Sequence, residues 1–100
     1  PAEERAARHK AEGDAAFRAK NYRTAYQHYT TALEATPDDH VVLSNRCQTY
    51  LKVSRHELAL SDGERLAQLA PTWPKAHYRL GCCLRAIGRV GEAVGAVVGD

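Results

Sequence analysis

Apolar residues recur along this chain at helical spacing, in blocks separated by short polar or proline-marked breaks. Gly13, Ala16 and Phe17 mark the apolar stripe of a first helix expected over residues 3–19. Lys20-Asn21 supplies a turn. Tyr22, Ala25, Tyr26, Tyr29 and Leu33 share one face of a second helix, 22–35. Pro37 stops it, because the residue before a proline is pushed away from the helical region. Asp38 or Asp39 then stands where a side chain can accept from the unpartnered first amides of the next helix. Val42, Leu43, Cys47, Tyr50 and Leu51 predict a third helix over 40–53, closed by a turn at Ser54. Leu58, Ala59, Leu66 and Leu69 predict a fourth over 56–69, stopped by Pro71. Thr72 and Pro74 open a fifth, 75–87, in which proline fits the first turn because its missing amide proton has no partner to lose. Gly88 predicts a break, and Val90, Ala93, Val94 and Val97 a short sixth helix over 90–99. Gly91, Gly95 and Gly99 weaken that last helix by about 1 kcal/mol each relative to alanine.

The blocks repeat. Ala25, Ala59 and Ala93 are spaced by 34 residues, as are Pro37 and Pro71, and so are the small residues Gly13, Cys47 and Gly81. A fixed period of this length is the mark of a stacked helix-turn-helix unit, each copy burying its face against the next. The register divides the chain into repeat one (6–39), repeat two (40–73) and a truncated repeat three (74–100). Without a capping helix after them, residues 90–98 are expected to leave their apolar face partly exposed, frayed, or paired with a second copy of the chain as a weak homodimer.

Composition adds limits. At 100 residues the chain has room for one domain. A net charge of +2 weighs against nucleic acid, whose phosphates call for a concentrated basic stripe. No run is long enough for a membrane span, and no signal peptide opens the chain, which begins at Pro1 without a methionine and reads as an excised fragment. Cys47, Cys82 and Cys83 form no C-x-x-C pattern and read as free thiols of a reducing compartment, cytoplasmic or nuclear. The five histidines show no metal-like grouping along the sequence, no cofactor motif is present, and no nucleophile–base set or phosphate loop suggests an enzyme. Trp73 reads as a loop-packing residue, His77 as helix packing, and the tyrosines as inter-helix packing, with Tyr78 near the inner wall.

Gly13, Tyr22, Ala25, Tyr29, Ala32 and Pro37, echoed by Cys47, Tyr50, Ala59 and Pro71 and then by Gly81 and Ala93, resemble the tetratricopeptide repeat. The resemblance covers almost the whole chain. It implies an all-α, right-handed superhelical stack of antiparallel helix pairs, about six helices, whose first helix in each pair lines a concave groove for extended peptides.

Within that family the chain is similar to the three-repeat carboxylate-clamp domains of co-chaperones, which hold the acidic C-termini of the 70- and 90-kDa heat-shock chaperones. The resemblance implies that Lys10, Asn45, Lys75 and Arg79 hold the peptide carboxylates. Lys75 and Arg79 are four residues apart and share a helix face, and ammonium, amide and guanidinium donors are what paired carboxylates need. Lys52 and Arg85 would add positive potential for upstream glutamates, and Phe17 and Leu51 an apolar wall. Asp14 is the departure. The family carries an asparagine there, whereas an ionised aspartate only accepts, repels a ligand carboxylate, and lies four residues from Lys10, within pairing distance. The sequence therefore reads as a non-catalytic module for an acidic peptide C-terminus, weakened or retuned at Asp14. Its rivals are a scaffold for an internal segment or folded partner, and self-association through residues 90–98.

Overall fold

The computed structural model describes residues 1–98 of the chain, with side chains described through Arg89. Five helices follow one another: α1 (Ala2–Arg18), α2 (Tyr22–Ala35), α3 (His40–Lys52), α4 (His56–Leu69) and α5 (Pro74–Val98). Each packs on its neighbour in sequence, and α5 also returns to α3. The result is a stack of antiparallel helix pairs, with no strand among the described residues.

The first four helices keep the boundaries expected from their apolar stripes to within a residue. Asp39 caps α3, its Oδ1 accepting from the amides of Val41 at 3.1 Å and Val42 at 3.2 Å. The turns after α1 and α3 have the same construction. Lys20 (φ 64°) and Ser54 (φ 60°) are in the left-handed region. At the first turn Asn21 N donates to Ala16 O and Lys20 N to Phe17 O, and at the second Arg55 N donates to Tyr50 O and Ser54 N to Leu51 O. These are paired Schellman bonds, which satisfy carbonyls that a helix end leaves without partners. Ser54 thus closes its turn through its backbone.

Gly88 stands at the same phase as Lys20 and Ser54, yet the expected break is absent. α5 runs through it to Val98, so among the described residues the expected fifth and sixth helices are one continuous helix. Glycine permits a left-handed turn without compelling one, and here the helical hydrogen bonding continues. The side chains of residues 90–98 lie outside the described set, and so does the expectation of self-association through them.

The phase residues are core residues. Ala25, Ala59 and Cys47 are fully buried, and Gly13 is buried beneath the ring of Tyr29, where an added Cβ would lie 2.6 Å from Tyr29 Cε1. Gly81 matches Gly13 in phase but not in surroundings, since nothing lies within 4 Å of a Cβ added there. Gly63 is the other close approach, with a Cβ position 3.3 Å from the Leu80 backbone, and it lets α5 lie against α4. One core cluster joins Ala6, Tyr29, Leu33, Val42, Leu43, Leu66 and Ala76, with Trp73 packed against it. A second gathers Cys47, Tyr50, Ala59 and Cys83. All three cysteines are free; Cys47 and Cys83 are buried, with their sulfurs 3.4 Å apart.

Candidate functional site: a polar strip across α1, α3 and α5

Lys10 and Asp14 are four apart on α1, and Lys10 Nζ donates to Asp14 Oδ2 at 2.9 Å. The second carboxylate oxygen of Asp14 accepts from the Tyr29 hydroxyl of α2 and, at 3.4 Å, from Asn45 Nδ2 of α3. Asp14 is therefore engaged by donors from three helices. The pairing with Lys10 expected from the sequence is present, and the fold adds two further donors, from α2 and α3. Burial is the main force pushing the Tyr29 hydroxyl well above the ordinary phenol range, and its hydrogen bond to Asp14 adds to the effect.

Asn45 also explains its own place in mid-helix. Its side chain reaches back to α1, and its carbonyl accepts from Thr49 Oγ1 at 2.7 Å. Asp14, Phe17, Arg18, Tyr29, Asn45 and Gln48 line a small open cavity of about 140 Å³. Gln48, one turn beyond Asn45, extends the strip to α5, where Arg79 Nη2 donates to Gln48 Oε1 at 3.1 Å and Arg79 Nε to Ser44 Oγ at 3.3 Å. The Arg79 guanidinium also lies 5.5 Å from the ring centre of exposed Tyr78. Lys75 Nζ lies 5.7 Å from the ring centre of Trp73. Among the described residues neither Lys75 nor Lys52 enters an ion pair.

The two expected apolar wall residues do not share a wall. Phe17 lines the cavity beside Asp14, whereas Leu51 lines a separate one with Cys82, Arg85, Ala86 and Arg89. Arg85 donates toward Cys82 Sγ at 3.4 Å, and Lys52 is exposed in the last turn of α3. His77 is exposed and donates from Nε2 to the Pro71 carbonyl, so it ties down the α4–α5 loop instead of packing on a helix. Trp73 packs edge-on against His40 in the same region, with ring centres 5.1 Å apart.

Sequence reasoning missed three groups. Ser44 and Gln48 join the strip; Gln48 follows Asn45 by three on the same helix face, a signal that was there to be used. Arg46 was overlooked too. Its fork grips Asp62 of α4 at 2.8 and 2.7 Å, and Nη1 donates to Thr30 of α2 at 3.2 Å. Burial pushes the Asp62 carboxyl above its ordinary value while the Arg46 hydrogen bonds pull it back. The third group is a pair of histidines with a glutamate, brought together only by folding: His9, Glu12 and His28.

The family described as "Serine/threonine-protein kinase BSK1-like, TPR repeats" matches residues 2–80. The chain is 38% identical over 87 residues to the small glutamine-rich tetratricopeptide repeat-containing protein 2 of Mycosarcoma maydis, covering 87% of this chain and 25% of that protein. It is 36% identical over 87 residues to the Hsp70-Hsp90 organizing protein of Triticum aestivum, covering 87% of this chain and 15% of that one. The chain thus spans a quarter or less of these relatives. Among solved structures, the first TPR of Spaghetti (RPAP3), bound to the HSP90 peptide SRMEEVD, superposes with a TM-score of 0.80 at 27% identity, covering 91% of this chain and 74% of that one. Helix pairs, 34-residue register and likenesses agree that the chain belongs to the tetratricopeptide-repeat family, as a member of its BSK1-like TPR branch.

Proposed function

We propose that the chain is a non-catalytic interaction module that takes an acidic peptide C-terminus into the groove of α1, α3 and α5, with repeats at 6–39, 40–73 and 74–100. The observation that carries this reading is the continuity of the polar strip: Lys10, Asp14 and Asn45 are linked across α1 and α3, and Gln48, Ser44 and Arg79 across α3 and α5. On this reading Lys10, Lys75 and Arg79 bring three cations to the groove that holds the Asp14 carboxylate, which favours an anionic ligand. Lys10, Asn45, Lys75 and Arg79 hold the terminal carboxylates. Lys52 and Arg85 draw upstream acidic side chains, and Phe17 and Leu51 offer separate apolar contacts. The peptide held by the RPAP3 repeat ends in Glu-Glu-Val-Asp, a partner of this chemistry. A heat-shock chaperone tail is the ligand this reading favours, and a cytoplasmic setting goes with it.

Asp14 sets the terms of binding. A ligand carboxylate that recruits Lys10 and Asn45 must take them from an internal carboxylate, so the exchange returns less than a groove of unopposed donors would. Calorimetric titration of an acidic pentapeptide with a free C-terminus, beside the same peptide amidated, tests the reading. Binding of the free acid alone, or much more tightly, is expected. Equal affinity, or none for either peptide, overturns it.

A further inference from the structure

His9 and Glu12 are three apart on α1, so they share a face, and the antiparallel hairpin brings His28 of α2 against them. The two imidazoles stack with centroids 5.3 Å apart and planes at 28°. His9 Nδ1 and His28 Nδ1 face each other at 3.1 Å, and Glu12 Oε2 lies 3.2 Å from the same nitrogen of His28. A proton on His28 Nδ1 can lie along only one of these two lines. A cation placed beside the three atoms could take a lone pair from each once the two rings, whose Nδ1 atoms now point almost head-on at each other, turn toward it. We propose that His9, Glu12 and His28 form a binding site for a divalent transition cation of the zinc type, with the fourth position left to water.

The spacing supports the chemistry. Ligands about 2.0–2.2 Å from zinc at tetrahedral angles stand about 3.3–3.6 Å apart. Two of the three separations, 3.1 and 3.2 Å, need only a few tenths of an ångström of adjustment, and the third lies within 4.8 Å. Two imidazoles with one carboxylate suit zinc, nickel or copper, whereas calcium and magnesium prefer sites made of oxygen. Access is open, with the side chain of His28 28% and that of Glu12 49% exposed. The site needs no groove ligand and is independent of the peptide reading. Occupied, it would bolt α1 to α2.

The test is calorimetric titration of the 100-residue chain with zinc ion alone, in a Cys82→Ser background because the Cys82 thiol is a competing ligand that is not fully buried. One equivalent should bind, and the thermal midpoint should rise with zinc. His9→Gln and His28→Gln should each weaken binding by at least about tenfold. Glu12→Gln, at the most exposed of the three positions, should do likewise, and it keeps the result readable if a histidine variant loses helix by circular dichroism. Ring resonances of His9 and His28 should shift on zinc addition, while those of His40, His56 and His77 stay. Absence of binding, unchanged binding in Glu12→Gln, or shifts confined to the other histidines overturns the proposal.

Discussion

The buried hydroxyl of Tyr29 donates to the carboxylate of Asp14 across the α1–α2 seam. That bond fixes one oxygen of the side chain facing the groove, so substitution at Asp14 has a definite geometry. In Asp14→Asn the amide oxygen can keep Tyr29 as its donor while the amide nitrogen turns to the groove, and Lys10 is released. Affinity for a free-carboxylate peptide should rise about tenfold or more, the value of one charge-assisted hydrogen bond of about 1.5–3 kcal/mol. Calorimetry on the variant checks this. Arg79→Ala should shift affinity the other way by a similar factor.

Tyr29 also gives a pH signature. Its hydroxyl is held above the ordinary phenol value by burial and by Asp14. With the folded value raised, the native chain keeps a proton that the unfolded chain gives up. The associated stability is therefore present in full below the ordinary phenol value and is lost as pH rises beyond it, by about 1.4 kcal/mol per pH unit. Denaturant unfolding across the alkaline range should show this fall, and Tyr29→Phe should flatten it. The difference in phenolate absorbance between the two proteins should appear only as helix content is lost.

Gly13 and Gly81 share a phase of the repeat and should respond oppositely to alanine. At Gly13 the new methyl meets the Tyr29 ring, and the clash should cost about 1–3 kcal/mol. At Gly81 the space is open and the site is inside α5, so alanine should stabilise by about 0.5–1 kcal/mol. Thermal midpoints of the two variants distinguish the cases.

Asp62 is 5% exposed and relies on Arg46. Asp62→Ala leaves that guanidinium without its carboxylate and should cost about 3–5 kcal/mol, whereas replacing both partners by apolar residues should cost far less. A double-mutant cycle by chemical denaturation measures the difference.

The repeat register was legible because it is periodic. Ala25 and Ala59, like Gly13 and Cys47, occupy buried positions that take a small side chain, and the interval of 34 within each pair can be read without coordinates. The Lys10–Asp14 pair was legible for the same reason, being local to one helix. What escaped was contact between helices. His9 and His28 are 19 residues apart and Arg46 and Asp62 are 16, and no local pattern marks either pair as neighbours. Gly88 escaped for a different reason. Glycine marks where a turn is cheap, while the continuation of α5 depends on what the following residues bond to.

Arg46 bonds to Thr30 of the first helix pair and to Asp62 of the second pair, to which it belongs. In a stacked array the small rotation from one pair to the next sets how tightly the inner surface curves. One guanidinium thus ties two successive pairs together where that rotation occurs, from a position outside the strip formed by Lys10, Asp14, Asn45, Gln48 and Arg79. If the proposed groove binds peptide, changes at Thr30 or Asp62 would act on its shape and leave the charges of Lys10, Lys75 and Arg79 in place.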